Sequence, residues 1–217
     1  MGESRELNAS YHGHMNSPTT RLARPADLEG IWNLYAEVTN HMSGTPGDVG
    51  WELGSHPSAA QLERAISTDT LIIAEPSPDT APPPVTASSP DTAPSPAGAV
   101  IVDTLAPAGY GDIPWETRAE PGEYAVVHLL AVSPRARGLG LARVLLDAAA
   151  RLAVDRGMRA LRLDVFDTAS HAIRVYRACG FRDLGLHELD YTTCDHTTFR
   201  IFERPLPPPH VAGIPFC

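Results

Sequence analysis

One stretch of the chain constrains the fold more than any other, because an apolar strand, a basic glycine loop and an amphipathic helix follow one another directly within residues 127–152. The strand, residues 123–132, has a nearly continuous run of apolar side chains, which predicts burial on both faces. The helix is predicted to begin at Gly138 and to run to about Arg156 before a stop at Gly157. A glycine loop at a helix start gathers backbone N–H groups at its positive end, a geometry that binds phosphates.

The loop matches neither of two common phosphate-binding patterns. A Walker A loop requires Gly-Lys-Ser/Thr, which the chain lacks. A dinucleotide fingerprint that starts at Gly138 has Arg143 in place of its third glycine. The pattern that remains is Arg-x-x-Gly-x-Ala, and Arg135 adds further positive charge in front of it. Its residues are Arg137, Gly138, Leu139, Gly140, Leu141 and Ala142.

This pattern resembles the pyrophosphate loop of the GNAT superfamily of acyl-CoA-dependent N-acetyltransferases, which reads Gln/Arg-x-x-Gly-x-Gly/Ala. Three more motifs follow the order of that family. The run His128-Leu-Leu-Ala-Val-Ser-Pro134 resembles its fourth strand, and Arg162-Leu-Asp-Val165 resembles its fifth. The spacing Ala172-x-x-x-Tyr176-x-x-x-Gly180-Phe181 is similar to its signature helix and turn. The resemblance covers roughly residues 21–204.

The resemblance implies an α/β fold. Its sheet is mixed and mostly antiparallel, has six or seven strands, is flanked by helices, and is splayed between the fourth and fifth strands. Acetyl-CoA, the co-substrate, would lie in that gap with its pantetheine arm along Leu130, Ala131 and Val132. A backbone N–H of this stretch would polarise the thioester carbonyl. The family often has Asn where this chain has Ala169, and Ser170 is the nearest polar substitute.

The same resemblance implies direct transfer to an amine, with one group to accept a proton and one to donate. Tyr176 lies where family members place the acid; the alternative is a tyrosine whose ring only packs on the sheet. His128 is the first candidate base, since arylalkylamine N-acetyltransferases have a histidine in a similar run, and Glu123 is the second. The alternative for His128 is a buried strand histidine bound to a backbone carbonyl. Asp164 is interpreted as a structural strand residue, and Cys179 as a packing residue.

Composition excludes several other classes of function. The chain has 217 residues with 26 acidic and 17 basic side chains, a formal net charge of −9 that disfavours nucleic acid. Its three scattered cysteines form no Cys-x-x-Cys pair, which disfavours a metal site or a disulfide framework. The sequence contains no run of 18 apolar residues, so no membrane span is predicted. We therefore expect a cytoplasmic, metal-free monomer or homodimer whose partner is a small-molecule amine.

The predicted organisation is one N-acetyltransferase domain, residues 21–204, with flexible additions. Residues 1–20 are expected to form a flexible leader, and residues 205–217 a proline-rich tail. Residues 76–97 repeat Ser-Pro-Asp-Thr-Ala-Pro and are expected to be a disordered insert. Aromatic and acidic residues of the predicted acceptor loops suit an amine: His41, Trp51, Trp115, Glu116 and Tyr191. Two other functions remain open, namely a non-catalytic acyl-CoA-binding or sensor module and a protein-modifying acetyltransferase.

Overall fold

The computed structural model describes residues 18–45, 47–48, 50–75, 95–191 and 197–208. Residues 1–17 of the predicted leader, residues 76–94 of the predicted insert and residues 209–217 of the predicted tail lie outside this range. Seven strands are described: β1 Thr19–Leu22, β2 Leu71–Glu75, β3 Gly98–Asp103, β4 Tyr124–Val132, β5 Ala160–Phe166, β6 Arg182–Glu188 and β7 Thr198–Pro205. The α-helices are α1 Leu28–Met42, α2 Ala59–Ser67, α3 Leu141–Asp155 and α4 Ser170–Ala178.

The described strands form one mixed, seven-stranded sheet in the order β1-β2-β3-β4-β5-β7-β6, which confirms the predicted α/β fold with a mixed sheet of six or seven strands. All neighbouring strands are antiparallel except β4 and β5. Helices α1 and α2 pack on one face, through a cluster that includes Tyr35 and Ile101. Helices α3 and α4 pack on the other face, through a cluster that includes Leu145 and Tyr176.

Two predicted boundaries were wrong. Thr19 and Thr20 belong to β1, where they pair with β2, so the predicted leader extends two residues too far. The long helix begins at Leu141 and not at Gly138, because Gly138 and Gly140 have φ angles of 82° and 73°. These angles lie in the left-handed region, which cannot continue a right-handed helix.

The sheet opens between β4 and β5. Their parallel ladder joins Tyr124–Val126 to residues 160–162, and within these two fully described strands it ends there. Beyond that point β4 stays paired with β3, and β5 stays paired with β7. Each strand therefore keeps one hydrogen-bonded neighbour while the two edges that face each other separate.

A bulge in β4 lies beside this opening. The register with β3 runs from Ile101↔His128 to Ala99↔Ala131, so an extra residue is inserted, and Leu129 has a left-handed φ of 51°. Bulges bend the strand that contains them, which favours divergence from β5. Tyr35 of α1 is fully buried, and its hydroxyl donates a 2.8 Å hydrogen bond to the Leu129 carbonyl oxygen. The helix thus satisfies a backbone acceptor at the bulge.

Replacing Tyr35 with phenylalanine should destabilise the fold, because the Leu129 carbonyl would lose its partner in a buried position. A buried acceptor without a partner costs about 1–3 kcal/mol in the free energy of unfolding, which urea denaturation can measure. Tyr124→Phe is the matched control, since Tyr124 is buried and its hydroxyl makes no hydrogen bond to another described residue. Equal losses in the two variants would contradict a specific role for the Tyr35 hydroxyl.

Candidate active site

A cavity of about 450 Å³ lies at the opening between β4 and β5. Its described walls come from β4, β5, the start of α4, the segment between α1 and α2, and residues 191 and 199. Six of its described side chains are ionisable: His56, His128, Asp164, His171, Tyr176 and Tyr191. The predicted residues His128 and Tyr176 are thus brought to one cavity, together with Asp164 and His56.

These side chains reach the cavity from opposite faces of the sheet. His128 pairs with Ile101, whose side chain belongs to the cluster under α1 and α2. The last pair of the ladder between β4 and β5 joins Val126 to Arg162. Two residues further along each strand lie His128 and Asp164, which therefore face each other across the opening on this same side of the sheet. Tyr176 comes from α4 and belongs to the cluster on the other face. The cavity therefore passes through the sheet, with His128 and Asp164 on one side and Tyr176 on the other.

His128 is held by groups at the end of β3. Its Nε2 lies 2.9 Å from the Leu105 carbonyl oxygen and 3.3 Å from Oδ1 of Asp103. A carbonyl only accepts, so Nε2 carries a hydrogen and the neutral ring keeps Nδ1 as its basic nitrogen. Burial lowers the pKa of His128, but the hydrogen bond and charge of Asp103 and the charge of Asp164 outweigh it and raise that pKa above 6.5. The expected carbonyl contact exists and still leaves one nitrogen able to act as a base.

His56 is a second histidine of the cavity that the sequence did not single out. Burial and the nearby charge of His128 lower the pKa of His56. The two rings therefore differ in protonation, and His128 is the one that binds a proton more readily. The position of His56, in an irregular segment between α1 and α2, has no periodic pattern that could have pointed to the site.

Asp164, interpreted from the sequence as a structural residue, lies in the cavity wall. Its Oδ1 accepts hydrogen bonds from the hydroxyls of Tyr110, at 3.1 Å, and Tyr191, at 2.9 Å. Burial raises the pKa of Asp164, and this effect exceeds the opposing hydrogen bonds and the charge of His128. The signal available in the sequence was the alternation along β5, which sets Asp164 two residues after the last residue paired with β4.

Tyr176 has a buried ring, with ring centroids 5.9 Å from Phe181 and 5.7 Å from Phe202. Its hydroxyl makes no hydrogen bond within the described part of the chain, and the residue lines the cavity. Burial raises the pKa of Tyr176, so the phenol keeps its proton throughout the neutral range. The ring packs as the alternative interpretation expects, while the hydroxyl is left available to a ligand.

Glu123 lies apart from the other two candidates. It precedes β4, is exposed, and has one carboxylate oxygen 3.4 Å from the Arg159 guanidinium. Its pKa is lowered, first by the hydrogen bond from the Glu120 backbone N–H. Glu123 does not line the described cavity, so its position gives no support to a role as the base.

Two of the predicted acceptor residues, Trp51 and Tyr191, line the cavity, and three do not. Trp115 stacks on the Arg162 guanidinium, with the ring centroid 4.0 Å from Cζ. Glu116 pairs with Arg182, and His41 contacts Arg137.

The predicted pyrophosphate loop leads into α3 and is open on its outer side. A Cβ atom built on Gly138 or Gly140 would meet nothing within 4 Å. Gly140 is the N-cap of α3 and provides no side-chain cap, so the first backbone N–H groups of the helix remain for a ligand. Nearby, Arg135 pairs with Glu37 of α1 at 2.9 Å, and Arg137 contacts the end of α1. An open, uncapped helix start with arginines beside it fits a pyrophosphate.

Leu130, Ala131 and Val132 form the end of β4, past the point where β5 separates. Ala131 and Val132 pair with β3, and Leu130 lines the cavity. The edge of β4 toward β5 is therefore left for hydrogen bonds with a ligand, as expected for a pantetheine arm.

Comparison with known proteins agrees with this geometry. The model of the acetyltransferase (GNAT) family matches residues 70–181, which is more than half of the chain. The chain belongs to the GNAT acetyltransferase family. It is therefore an acyltransferase, and the co-substrate of this family is acetyl-CoA. No match was found among the curated proteins.

Many solved structures share the fold. A phosphinothricin acetyltransferase from Sinorhizobium meliloti, in complex with acetyl-CoA, is 20% identical and aligns over 92% of this chain and 93% of its own, with a TM-score of 0.59. An acetyltransferase from Salmonella typhimurium with its cofactor acetyl-CoA is 16% identical over 91% and 98%, with a TM-score of 0.58. The ribosomal-protein-S18-alanine N-acetyltransferase from Escherichia coli is 16% identical over 87% and 94%, with a TM-score of 0.54.

Two searches of the described residues found nothing. No group of three or more His, Cys, Asp or Glu side chains among them could hold a metal ion. None of the helices in the described ranges is both long and apolar enough to cross a membrane.

Gly140→Asp should weaken acetyl-CoA binding, because a carboxylate would face the pyrophosphate at the start of α3. Gly140→Asn is the matched control, since both residues tolerate the left-handed φ of 73° and only aspartate adds charge. We expect the dissociation constant from isothermal titration to be roughly 10- to 100-fold higher for aspartate than for asparagine, the scale of a charged hydrogen-bonding site. Equal affinity of both variants and the wild type would remove the loop from the binding site.

Proposed function

We propose that this enzyme transfers the acetyl group of acetyl-CoA directly to the primary amine of a small molecule. The single observation that carries the proposal is the cavity through the sheet, with a basic imidazole on one face and a phenol on the other. A volume of about 450 Å³ is in the range of small-molecule sites. Acetyl-CoA supplies the acetyl group as a thioester, which an amine can attack without a further activating group.

The acceptor must lose a proton before or during the attack. Alkylamines have pKa values near ~10.4, so at neutral pH they bind mostly as ammonium ions. Nδ1 of His128 is the basic nitrogen on the acceptor side, since Nε2 is committed to the Leu105 carbonyl. Asp103 and Asp164 raise the pKa of His128, which makes the imidazole a stronger base than a free histidine.

The departing sulfur gains negative charge and benefits from a proton donor. The Tyr176 hydroxyl lies on the opposite face, has no hydrogen-bond acceptor among the described residues and keeps its proton at neutral pH. It is suited to donate to the thiolate, whose pKa is about 8.5 when free. Ser170 lines the same cavity near the position where the family often has asparagine.

Direct transfer is favoured over an acyl-enzyme. Among the described residues that line the cavity there is no cysteine. Cys179 is buried at the end of α4, inside the cluster between helix and sheet, as the packing interpretation expects. The proton carriers in the cavity favour an active enzyme over a non-catalytic acyl-CoA-binding or sensor module. A protein acceptor is the other alternative, and a cavity of about 450 Å³ favours a small molecule over it.

The proposal can be tested by incubating the enzyme with acetyl-CoA and a library of primary amines and peptides while measuring free thiol. We expect turnover of small amines, and Tyr176→Phe should lower kcat by roughly 10²–10⁴-fold because it removes only the donor hydroxyl. Acetyl-CoA affinity should not change, since the ring and its packing remain. Turnover of peptides alone would favour the protein-modifying alternative. Unchanged kcat in the variant would exclude Tyr176 as the donor.

The pH dependence of kcat/KM should report His128. The base must be neutral, and its pKa is raised above 6.5, so activity should fall as the pH is lowered through a value above 6.5. Asp103→Asn removes a charge that raises this pKa and should therefore move the acidic limb to lower pH. His128→Gln should abolish that limb, lower the rate most near neutral pH, and be partly rescued at high pH, where more amine is already neutral. An unshifted limb in both variants would assign the base to another group.

A further inference from the structure

We propose that Asp164, held by Tyr110 and Tyr191, binds the ammonium group of the acceptor, and that the acceptor is a primary amine with an apolar body and no carboxylate. This inference rests on the proposed amine acetylation and adds to it the chemical class of the acceptor. Three features of the cavity carry it: one fixed carboxylate, the absence of arginine and lysine from the described lining, and aromatic walls.

The carboxylate of Asp164 is held in one orientation and can accept a further hydrogen bond. Tyr110 and Tyr191 both donate to Oδ1 of Asp164, and the Tyr191 hydroxyl is also 2.9 Å from Oδ2. An ionised carboxylate offers about four lone-pair sites, and the single hydrogen of Tyr191 is shared between the two oxygens. At least one site on Oδ2 therefore remains for a donor from the cavity. The two hydroxyls hold the carboxylate in one orientation, so little side-chain entropy is lost when a ligand binds.

Asp164 also lies where an ammonium ion would be in reach of the base. It faces His128 across the opening on the same side of the sheet. The charge of each residue influences the protonation of the other, as expected for neighbours in a buried site. An ammonium group bound between them is attracted by Asp164 and can lose its proton to His128. The other titratable side chains near this region are those of Asp103, which contacts His128, and of the lining residues His56, His171, Tyr176 and Tyr191.

A carboxylate on the acceptor would find no arginine or lysine among the described residues that line the cavity. The chain contains no lysine, and every arginine except Arg5 lies in the described ranges. None of these described arginines lines the cavity. A second negative charge would therefore enter a partly buried site that already holds the carboxylate of Asp164 and that offers only histidines as basic partners, which costs free energy. Of these, His56 has a pKa lowered by burial, and His128 must be neutral to act as the base. The site thus discriminates against amino acids and in favour of simple amines.

The walls suit an apolar body. Phe166 and Phe199 stack with ring centroids 5.3 Å apart, and Tyr191 lies 5.1 Å from Phe199. Trp51 also lines the cavity and packs edge-on against Tyr35, with ring centroids 5.5 Å apart. Of these residues, Trp51, Phe166, Tyr191 and Phe199 line the cavity together with Asp164. Aromatic faces also attract a cation, so the same walls assist in binding the ammonium group.

Three probes of matched shape test this assignment by isothermal titration, in the presence of coenzyme A so that no acetyl transfer occurs. The first, 2-phenylethylamine, has the cation and the apolar body. The second, 2-phenylethanol, lacks the charge, and phenylalanine adds a carboxylate. We expect the amine to bind at least about 10-fold more tightly than either of the others, the scale of a charged hydrogen bond. Equal or tighter binding of phenylalanine, or no binding of the amine, would overturn the proposal.

Asp164→Asn keeps the shape of the side chain and removes its charge. It should weaken 2-phenylethylamine binding by roughly 10- to 100-fold and leave 2-phenylethanol and coenzyme A binding unchanged. Asp155→Asn, at the exposed end of α3, is the matched control and should behave as the wild type. Unchanged amine affinity in Asp164→Asn would refute the assignment. Loss of coenzyme A binding would reveal that Asp164→Asn fails to fold. In that case the comparison of the three probes on the wild type still tests the proposed acceptor class.

Failure of this inference and failure of the proposed function are distinguishable. Tight amine binding without release of thiol from acetyl-CoA would contradict acetyl transfer and leave the ammonium site intact. Efficient acetylation of phenylalanine, with weak turnover of 2-phenylethylamine, would confirm the acetyltransferase and overturn the acceptor class.

Discussion

The parallel ladder between β4 and β5 joins only three residue pairs, although both strands are described in full, and the active site depends on where it stops. Each strand remains paired on its outer side, with β3 or β7, so the sheet can part without leaving either strand unsupported. The bulge at Leu129 bends β4 at this point, and the Tyr35 hydroxyl satisfies the carbonyl there. One buried hydrogen bond from a helix thus stabilises the backbone shape that gives the cavity its width.

The opening also arranges charge. The bulge sets His128 and Leu129 consecutively on the face of α1 and α2, while Tyr176 approaches from the face of α3 and α4. In the proposed mechanism, Asp164 and His128 act on the charge of the acceptor, and the phenol across the sheet acts on the charge of the leaving group. Because the cavity is partly buried, these few groups act on one another more strongly than they would in water.

Much of this could be predicted from local patterns. The strand predicted over residues 123–132 matches β4 to within one residue, and the family was recognised from four ordered motifs. The roles of His128, Tyr176 and the loop remain predictions, although all three lie where those roles require. The place of Asp164 in the cavity wall was not predicted, because its partners, Tyr110 and Tyr191, come from distant segments whose convergence no periodicity reveals. The late start of α3 was missed because two left-handed glycines, and not the apolar stripe, decide where that helix begins.

The cavity draws its walls from both faces of the sheet, so the proposed sites for donor and acceptor lie on opposite faces. Neither substrate then occupies the place of the other. Such a geometry suits a ternary complex, in which both substrates are present together, and not a ping-pong cycle that stores the acyl group on the protein between visits.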